Sequence, residues 1–364
     1  MFLTLDLLSN NLKHIILIFA LCLSCSEDEA AVINGYVPTP VNLNIPEVFQ
    51  GRILPPVIPT NNPLTQEGIA LGKRLFFDKQ LSADNTQSCA SCHNPTKAFT
   101  DGLRYSIGID NIEGTRNGMP LFNLAWNYDD RFFWDGRELG LERQVFDPIT
   151  NPIEMHNTLQ SLVHKLQQDT TYPPLFEQAF GSATIDSVGI SKAIAQFERS
   201  IISADSKFDR YLLGQATLTS EEIEGFNIFM DENRGDCFHC HGSENNPLWT
   251  DNKFHNNGLD ANPTDLGLAL ATGDPNDNAK FKSPSLRNLA FTAPYMHDGR
   301  FATLEEVIDH YSEGLQNSAT VDPLMKKVAQ GGVQLNPTEK ANLKAFLLSL
   351  SDFSFINNPE YAQP

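Results

Sequence analysis

Along most of this chain apolar residues recur at three- and four-residue intervals, the spacing of one face of an α-helix, and period-two alternation is scarce. Behind Thr65 the residues Ile69, Gly72, Leu75 and Phe76 share a face, which predicts a helix capped by Thr65. Thr158 stands in the same way before Leu159, Leu162, Val163 and Leu166, and Ile190, Ala193, Ile194, Phe197 and Ile201 repeat the pattern. Thr219 with Glu222, and Thr303 with Glu306, have the spacing of capping boxes. The second opens a stripe of Leu304, Val307, Ile308 and Tyr311. A last helix is predicted from Asn336, Pro337 and Glu339, burying Leu343, Phe346, Leu347 and Leu350. The region from Ser243 to Asn278 reads as a long irregular loop, and a boundary falls near Gly214 to Thr217. The fold class expected is all-α, with an N-terminal domain over 46–215 and a C-terminal domain over 216–364.

Two five-residue stretches add chemistry to this frame. Cys89-Ala90-Ser91-Cys92-His93 carries the C-x-x-C-H pattern, and Cys237-Phe238-His239-Cys240-His241 repeats it. Two thiols on one turn of backbone can each form a thioether to a haem vinyl group, and the following imidazole can ligate the iron. The alternative, one zinc held by two C-x-x-C pairs, leaves both histidines unexplained. Two covalent haem c groups are therefore expected, making each domain a cytochrome c-like unit. Of the six cysteines, four are then assigned, and Cys22 and Cys25 fall in the leader, so no disulfide framework is implied.

Haem is attached to such motifs outside the cytoplasmic membrane, which calls for export. Ile15 to Leu23 forms a short apolar run behind Lys13 and His14, suited to a signal peptide over 1–24 and too short to span a bilayer. Leu21-Cys22-Leu23-Ser24-Cys25 resembles a bacterial lipobox, in which Cys25 becomes the lipidated first residue; Cys22 in place of the usual leucine and Asp6 in the n-region leave ordinary cleavage as the alternative. A flexible tether over 25–45 follows. The expected location is the periplasm, or the outer membrane of a bacterium through a lipid anchor. The formal net charge of −19 argues against nucleic acid as a partner and suits attraction to a basic electron donor, though solubility alone also accounts for it.

Beyond the two motifs, the residues from about Asn62 to Asp352 resemble the bacterial di-haem cytochrome c peroxidases and their MauG-type relatives. The resemblance rests on Leu71-Gly72-Lys73-Arg74-Leu75-Phe76-Phe77-Asp78, Phe133-Trp134-Asp135-Gly136-Arg137, Pro152-Ile153-Glu154-Met155, Lys282-Ser283-Pro284-Ser285-Leu286-Arg287-Asn288 and Ala293-Pro294-Tyr295-Met296-His297-Asp298-Gly299. It implies that the first haem, on Cys89, Cys92 and His93, binds peroxide, and that the second, on Cys237, Cys240 and His241, passes or stores electrons. It implies further that Trp134 lies between the haems as an electron relay, and that Gln144 and Glu154 lie over the peroxide-binding face. A carboxylate there can carry the proton that must pass from one peroxide oxygen to the other. A calcium ion between the domains is implied as well, held by the Asn117 side chain, backbone oxygens of Thr292 and Pro294, and waters.

The sequence departs from the peroxidase pattern twice. Ser106-Ile107-Gly108-Ile109 has isoleucine where many members carry a distal histidine, so the first haem is expected to be open without prior reduction. Fourteen positions after His297, where a distal methionine is usual, stands Tyr311, as in MauG-type members. An oxygen ligand favours oxidised iron. If Tyr311 is only a core residue, His310, Met296 or Met325 is the alternative ligand. His239 cannot easily bend to the iron of its own motif; His156, His164 and His255 read as surface or structural, and His297 as support for the second haem.

Three activities are consistent with these residues. The first is a peroxidase reducing hydrogen peroxide to water with electrons from a small c-type cytochrome or similar donor. The alternative is a MauG-type enzyme, in which peroxide-derived high-valent haems oxidise tryptophan or tyrosine side chains of a partner protein. The third, a non-catalytic di-haem electron carrier, fits poorly with Ile109, Gln144 and Glu154. Members of the peroxidase type often dimerise, so a second copy of the chain joins the expected partners.

Overall fold

The computed structural model describes residues 36–364. The leader, the lipobox at Cys25 and most of the tether lie outside them. From Val37 the expected tether is docked: Thr39 donates its N–H (2.9 Å) and hydroxyl (2.8 Å) to the Glu67 carboxylate, and Val41 N–H donates to Leu64 O (2.9 Å). Leu43 and Ile45 then pack against a small cluster around Phe49 and Trp126. Segments of low apolar content still dock when a helix N-terminus offers them partners.

The longer helices are α1 (Gln66–Phe77), α2 (Leu159–Gln168), α3 (Tyr172–Phe180), α4 (Ser187–Ser200), α5 (Lys207–Leu212), α6 (Ser220–Met230), α7 (Leu304–Asp309) and α8 (Pro337–Ser349). Their starts follow the caps expected: Thr65 accepts from Gly68 N–H, Thr158 from Ser161 N–H, and Thr219, Thr303 and Asn336 form capping boxes with Glu222, Glu306 and Glu339. Each such cap stabilises its helix by about 1 kcal/mol. Helix α3 opens on Tyr172, Pro173 and Pro174, where proline's missing N–H costs nothing. Strand is confined among the described residues to two short antiparallel pairs, Arg131–Phe132 with Glu138–Leu139 and Phe254–His255 with Phe281–Lys282. The second pair crosses the region from Ser243 to Asn278, which also holds a helical turn, Ala269–Thr272.

Two large apolar clusters form. One gathers Leu71, Leu75 and Phe76 of α1 with Ile190, Ala193, Ile194 and Phe197 of α4, and Cys89 packs at its edge. Helices α1 and α4 approach so closely that a Cβ on Gly72 would lie 1.9 Å from Ala193 O. The other gathers Ile228 and Phe229 of α6 with Leu343, Phe346 and Leu347 of α8 around Trp249, with Cys237 at its edge. Phe346 meets Phe208, Phe229 and Trp249 ring to ring at 5.1, 5.2 and 5.5 Å, and burying one such ring is worth roughly 1.5–3 kcal/mol. The chain end does not stay with this second cluster. Phe355 and Tyr361 return to the first, meeting Phe99 at ring-centroid distances of 5.8 Å.

The Tyr311 stripe differs in detail from its sequence pattern. Helix α7 ends at Asp309, and His310–Gly314 winds on as a π-helical turn that carries Tyr311. Such widened turns are frequent at functional sites.

Candidate active site

The first C-x-x-C-H stretch begins as one helical turn, Cys89–Cys92, behind a Ser88–Ser91 capping box, with His93 as its C-cap. Both thiols are free and half-buried. His93 Nδ1 donates to Phe99 O (2.9 Å), which fixes the tautomer and leaves Nε2 with its lone pair. Burial lowers the His93 pKa below its ordinary value, so the imidazole is neutral and fit to ligate.

These residues form part of the wall of a cavity of about 740 Å³. Trp134, Gln144 and Glu154 line it as well, so the two residues expected over the peroxide-binding face and the expected relay share one cavity with the first attachment motif. Glu154 accepts from Asn151 Nδ2 (2.7 Å), and burial raises its carboxyl above the usual range despite that bond. The Gln144 Oε1 atom is buried with no hydrogen-bond partner among the described residues. Ile107 and Gly108 contribute to the wall, and Ile109 N–H is bonded to Glu154 O (3.0 Å). That loop can sit so low because residue 108 is glycine: a Cβ there would lie 2.1 Å from Ile153 O.

Trp134 is buried, and its indole N–H donates to Asn117 O (2.8 Å). Its carbonyl accepts Lys282 N–H (2.9 Å), and the next residue, Ser283, places Oγ 3.3 Å from His241 Nδ1 and 3.0 Å from Cys240 O. A short covalent and hydrogen-bonded path thus joins Trp134 to the second motif. Burial lowers the His241 pKa to about 4, so this imidazole too is neutral at physiological pH.

Around the second motif, the Tyr311 hydroxyl accepts from Asn257 Nδ2 (3.1 Å), and burial pushes its pKa up to about 12. The same amide lies 3.6 Å from Met296 Sδ, so two of the ligands considered from the sequence converge on Asn257. His310 Nε2 is 3.4 Å from Asn257 O. His239 turns to Asp236 (3.1 Å), and His255 is clamped between Asp322 (2.7 Å) and Asp251 (2.9 Å), a structural role. His297 stacks on Phe281 at 3.6 Å and lines a second cavity of about 530 Å³ with Arg116 and Asn257.

At the expected calcium position, Asn117 is buried, takes its N–H to His297 O (2.7 Å) and donates Nδ2 to Leu103 O (2.8 Å). Thr292 is buried, and Pro294 follows a cis peptide bond. Among the described residues no cluster of three or more His, Cys, Asp or Glu could hold a metal ion, so a cation there would depend on amide and carbonyl oxygens.

Sequence reasoning missed Asn151, Ser283 and Asn257, which hold Glu154, His241 and Tyr311, and it missed Glu198, which also lines the first cavity. Two of these left a signal: Ser283 lies within the Lys282–Asn288 motif, and Glu198 stands four residues after Ile194 on an apolar stripe.

A mostly helical chain with two half-buried C-x-x-C-H turns, each followed by a neutral, oriented imidazole, has the donor set of a c-type haem protein with two attachment sites. The family model described as di-haem cytochrome c peroxidase matches residues 66–217. The methylamine utilization protein MauG of Methylophilus methylotrophus is 37% identical over 294 residues, covering 80% of this chain and 84% of that one. The cytochrome-c peroxidase IdrP2 of Denitromonas iodatirespirans is 34% identical over 314 residues, covering 78% and 81%. Among solved structures, a MauG-like protein associated with microbial copper homeostasis superposes with a TM-score of 0.80 at 38% identity, over 89% of this chain and 99% of that one. The chain belongs to the di-haem cytochrome c peroxidase and MauG family.

Proposed function

We propose that this protein is an exported di-haem peroxidase that reduces hydrogen peroxide to water with electrons from a small c-type cytochrome or similar redox protein. The observation that carries this reading is the first cavity, where Cys89, Cys92 and His93 meet Gln144, Glu154 and Trp134. Cys89, Cys92 and His93 would hold one haem c, and Cys237, Cys240 and His241 would hold the other, with Tyr311 as a further ligand of the second. Each motif adjoins its own apolar cluster, which supports one haem in each of the domains 46–215 and 216–364. When bound, haem supplies iron redox chemistry that no side chain in the cavity can provide.

The side chains supply proton movement and order. The reaction takes H2O2, two electrons and two protons to two waters. Glu154 as carboxylate accepts the proton of one peroxide oxygen and returns it to the other, from which water leaves. Asn151 holds the carboxylate by one oxygen and leaves the other free. Gln144 can donate its amide N–H groups to the peroxide. Trp134 offers an oxidisable indole on the wall of this cavity, which Ser283, the neighbour of His241, also lines. Ile109 offers no side-chain ligand, so a haem held by Cys89, Cys92 and His93 would need no histidine to leave before peroxide could enter the cavity.

A second reading is favoured by Tyr311 and its Asn257 partner: a MauG-type enzyme that uses peroxide to oxidise tryptophan or tyrosine side chains of a partner protein through Trp134. Calcium bound by Asn117, Thr292 and Pro294, and a lipid anchor at Cys25, complete the proposal. Reduced cytochrome c and peroxide, added to the untreated oxidised protein, separate the two readings. Rapid donor oxidation supports the peroxidase, and slow oxidation with prompt haem spectral change supports the MauG type.

A further inference from the structure

Glu198 is 3% exposed on α4, lines the first cavity, and has no hydrogen-bond partner for Oε2 among the described residues. Its sequence neighbour cannot neutralise it, because Arg199 is already committed: both guanidinium Nη atoms donate to Glu142, at 2.6 and 2.9 Å. Glu142 in turn accepts from Asn62 Nδ2 (2.7 Å). A buried carboxylate left without a hydrogen bond is costly, and a leucine of similar size would fill the position without that cost.

Such a group resolves the cost by keeping its proton. Burial raises the Glu198 pKa to about 8, the carboxylate of Glu142 adds to the rise, and Arg199 opposes it. The first attachment motif lines the same cavity, and the Glu198 charge bears on its Cys89 thiol. The unpartnered Gln144 Oε1 lies on the helical turn Leu141–Gln144, which packs against α4. Two polar side chains with orphaned oxygens therefore line one cavity, and of these Glu198 has no part in the peroxide chemistry above.

We propose that Glu198 is a positioning residue of the first haem site, holding a proton on the Cys89 side of the cavity and setting through that proton how readily the first haem is reduced. The proposal rests on the two-haem reading above. Where Glu198 is ionised, its negative charge beside the haem disfavours an added electron. Reduction by an external reductant is then accompanied by one proton, taken from solvent onto the carboxylate, so that the charge gained is balanced. Where Glu198 is already protonated, reduction takes up no proton there.

The test is a spectroscopic redox titration of the haem-loaded protein, at pH values on both sides of the Glu198 ionisation, for the wild type and Glu198→Gln. Glutamine has the shape of the protonated acid and cannot ionise. The first-haem potential should fall with rising pH in the wild type, and the part of that fall that follows the Glu198 ionisation should be missing in Glu198→Gln. Identical profiles in the two proteins overturn the proposal. If Glu198→Gln does not load haem, infrared spectra of Glu154→Gln replace it: a protonated-carboxyl band that disappears above neutral pH is expected, and its absence at every pH overturns the proposal. Turnover is not part of either readout. A protein that reduces no peroxide refutes the functional reading alone, whereas two intact haems with no Glu198 effect refute this inference alone.

Discussion

Replacing Glu154 by glutamine should remove proton transfer and little else. The change keeps the side-chain length and an oxygen that can still accept from Asn151 Nδ2, now at 2.7 Å, so the loop that joins Glu154 O to Ile109 N–H has no reason to move. What is lost is the one side chain in the cavity assigned to carry the proton between peroxide oxygens. General acid–base transfer is worth about 10²–10⁴ in rate. At 1.36 kcal/mol per decade that is roughly 2.7–5.4 kcal/mol of transition-state stabilisation. The assay is steady-state oxidation of reduced cytochrome c by peroxide, normalised to covalently bound haem. Because burial raises the Glu154 carboxyl, the wild type should gain kcat/KM as pH rises through that elevated pKa, since only the carboxylate accepts a proton. Glu154→Gln should lose that limb. A variant within threefold of wild type, or one that keeps the limb, refutes the assignment.

Other consequences follow from separate parts of the structure. Arg287 is fully buried, holds Asp209 through two bonds of 2.7 Å and donates to Pro247 O (2.6 Å), so Asp209→Asn should cost about 3–5 kcal/mol in denaturant unfolding. The ion pair keeps the Asp209 carboxyl below its ordinary 3.8, so its contribution is complete above that pH and lost as pH falls through the lower folded value; the acid limb of stability should flatten in the variant. Gly108→Ala would push a methyl into Ile153 O and should cost about 1–3 kcal/mol while lifting the 106–109 loop from Glu154. Tyr311→Phe should change the visible spectrum of the second haem and leave the first unchanged, whereas a methionine-type band in the wild type would transfer the ligand role to a thioether. Chelation of calcium should lower activity reversibly if Asn117 and the 292–294 carbonyls hold the ion, and metal analysis of the purified protein measures its content directly.

How far the chain could be read in advance varied with the range of the interaction. Helix starts were legible because their partners lie three residues apart, as with Thr65 and Gly68 or Asn336 and Glu339. Both attachment turns were legible for the same reason. Helix α3 was not assigned from the sequence, and the π-helical turn at Tyr311 escaped because a widened turn leaves the apolar stripe nearly unchanged. Partners distant in sequence were out of reach: Asn257 meets Tyr311 across 54 positions and Ser283 meets His241 across 42. Gln144 and Glu154 were assigned to the first haem only through family likeness; the structure puts both on the wall of one cavity with Cys89, Cys92 and His93, which periodicity could not foretell. Glu198 was visible as a charge on an apolar face, but only the cavity and the engaged Arg199 distinguish it from an ion-paired helix residue.

The most direct test of the account is the oxidation of a reduced small cytochrome c by hydrogen peroxide, begun with the oxidised protein carrying both haems and no prior reduction. Turnover of about 1–10³ s⁻¹ from the first cycle is the predicted result. No donor oxidation until the protein has been reduced would contradict the open first site that Ile109 implies, and none under any condition would contradict the peroxidase itself.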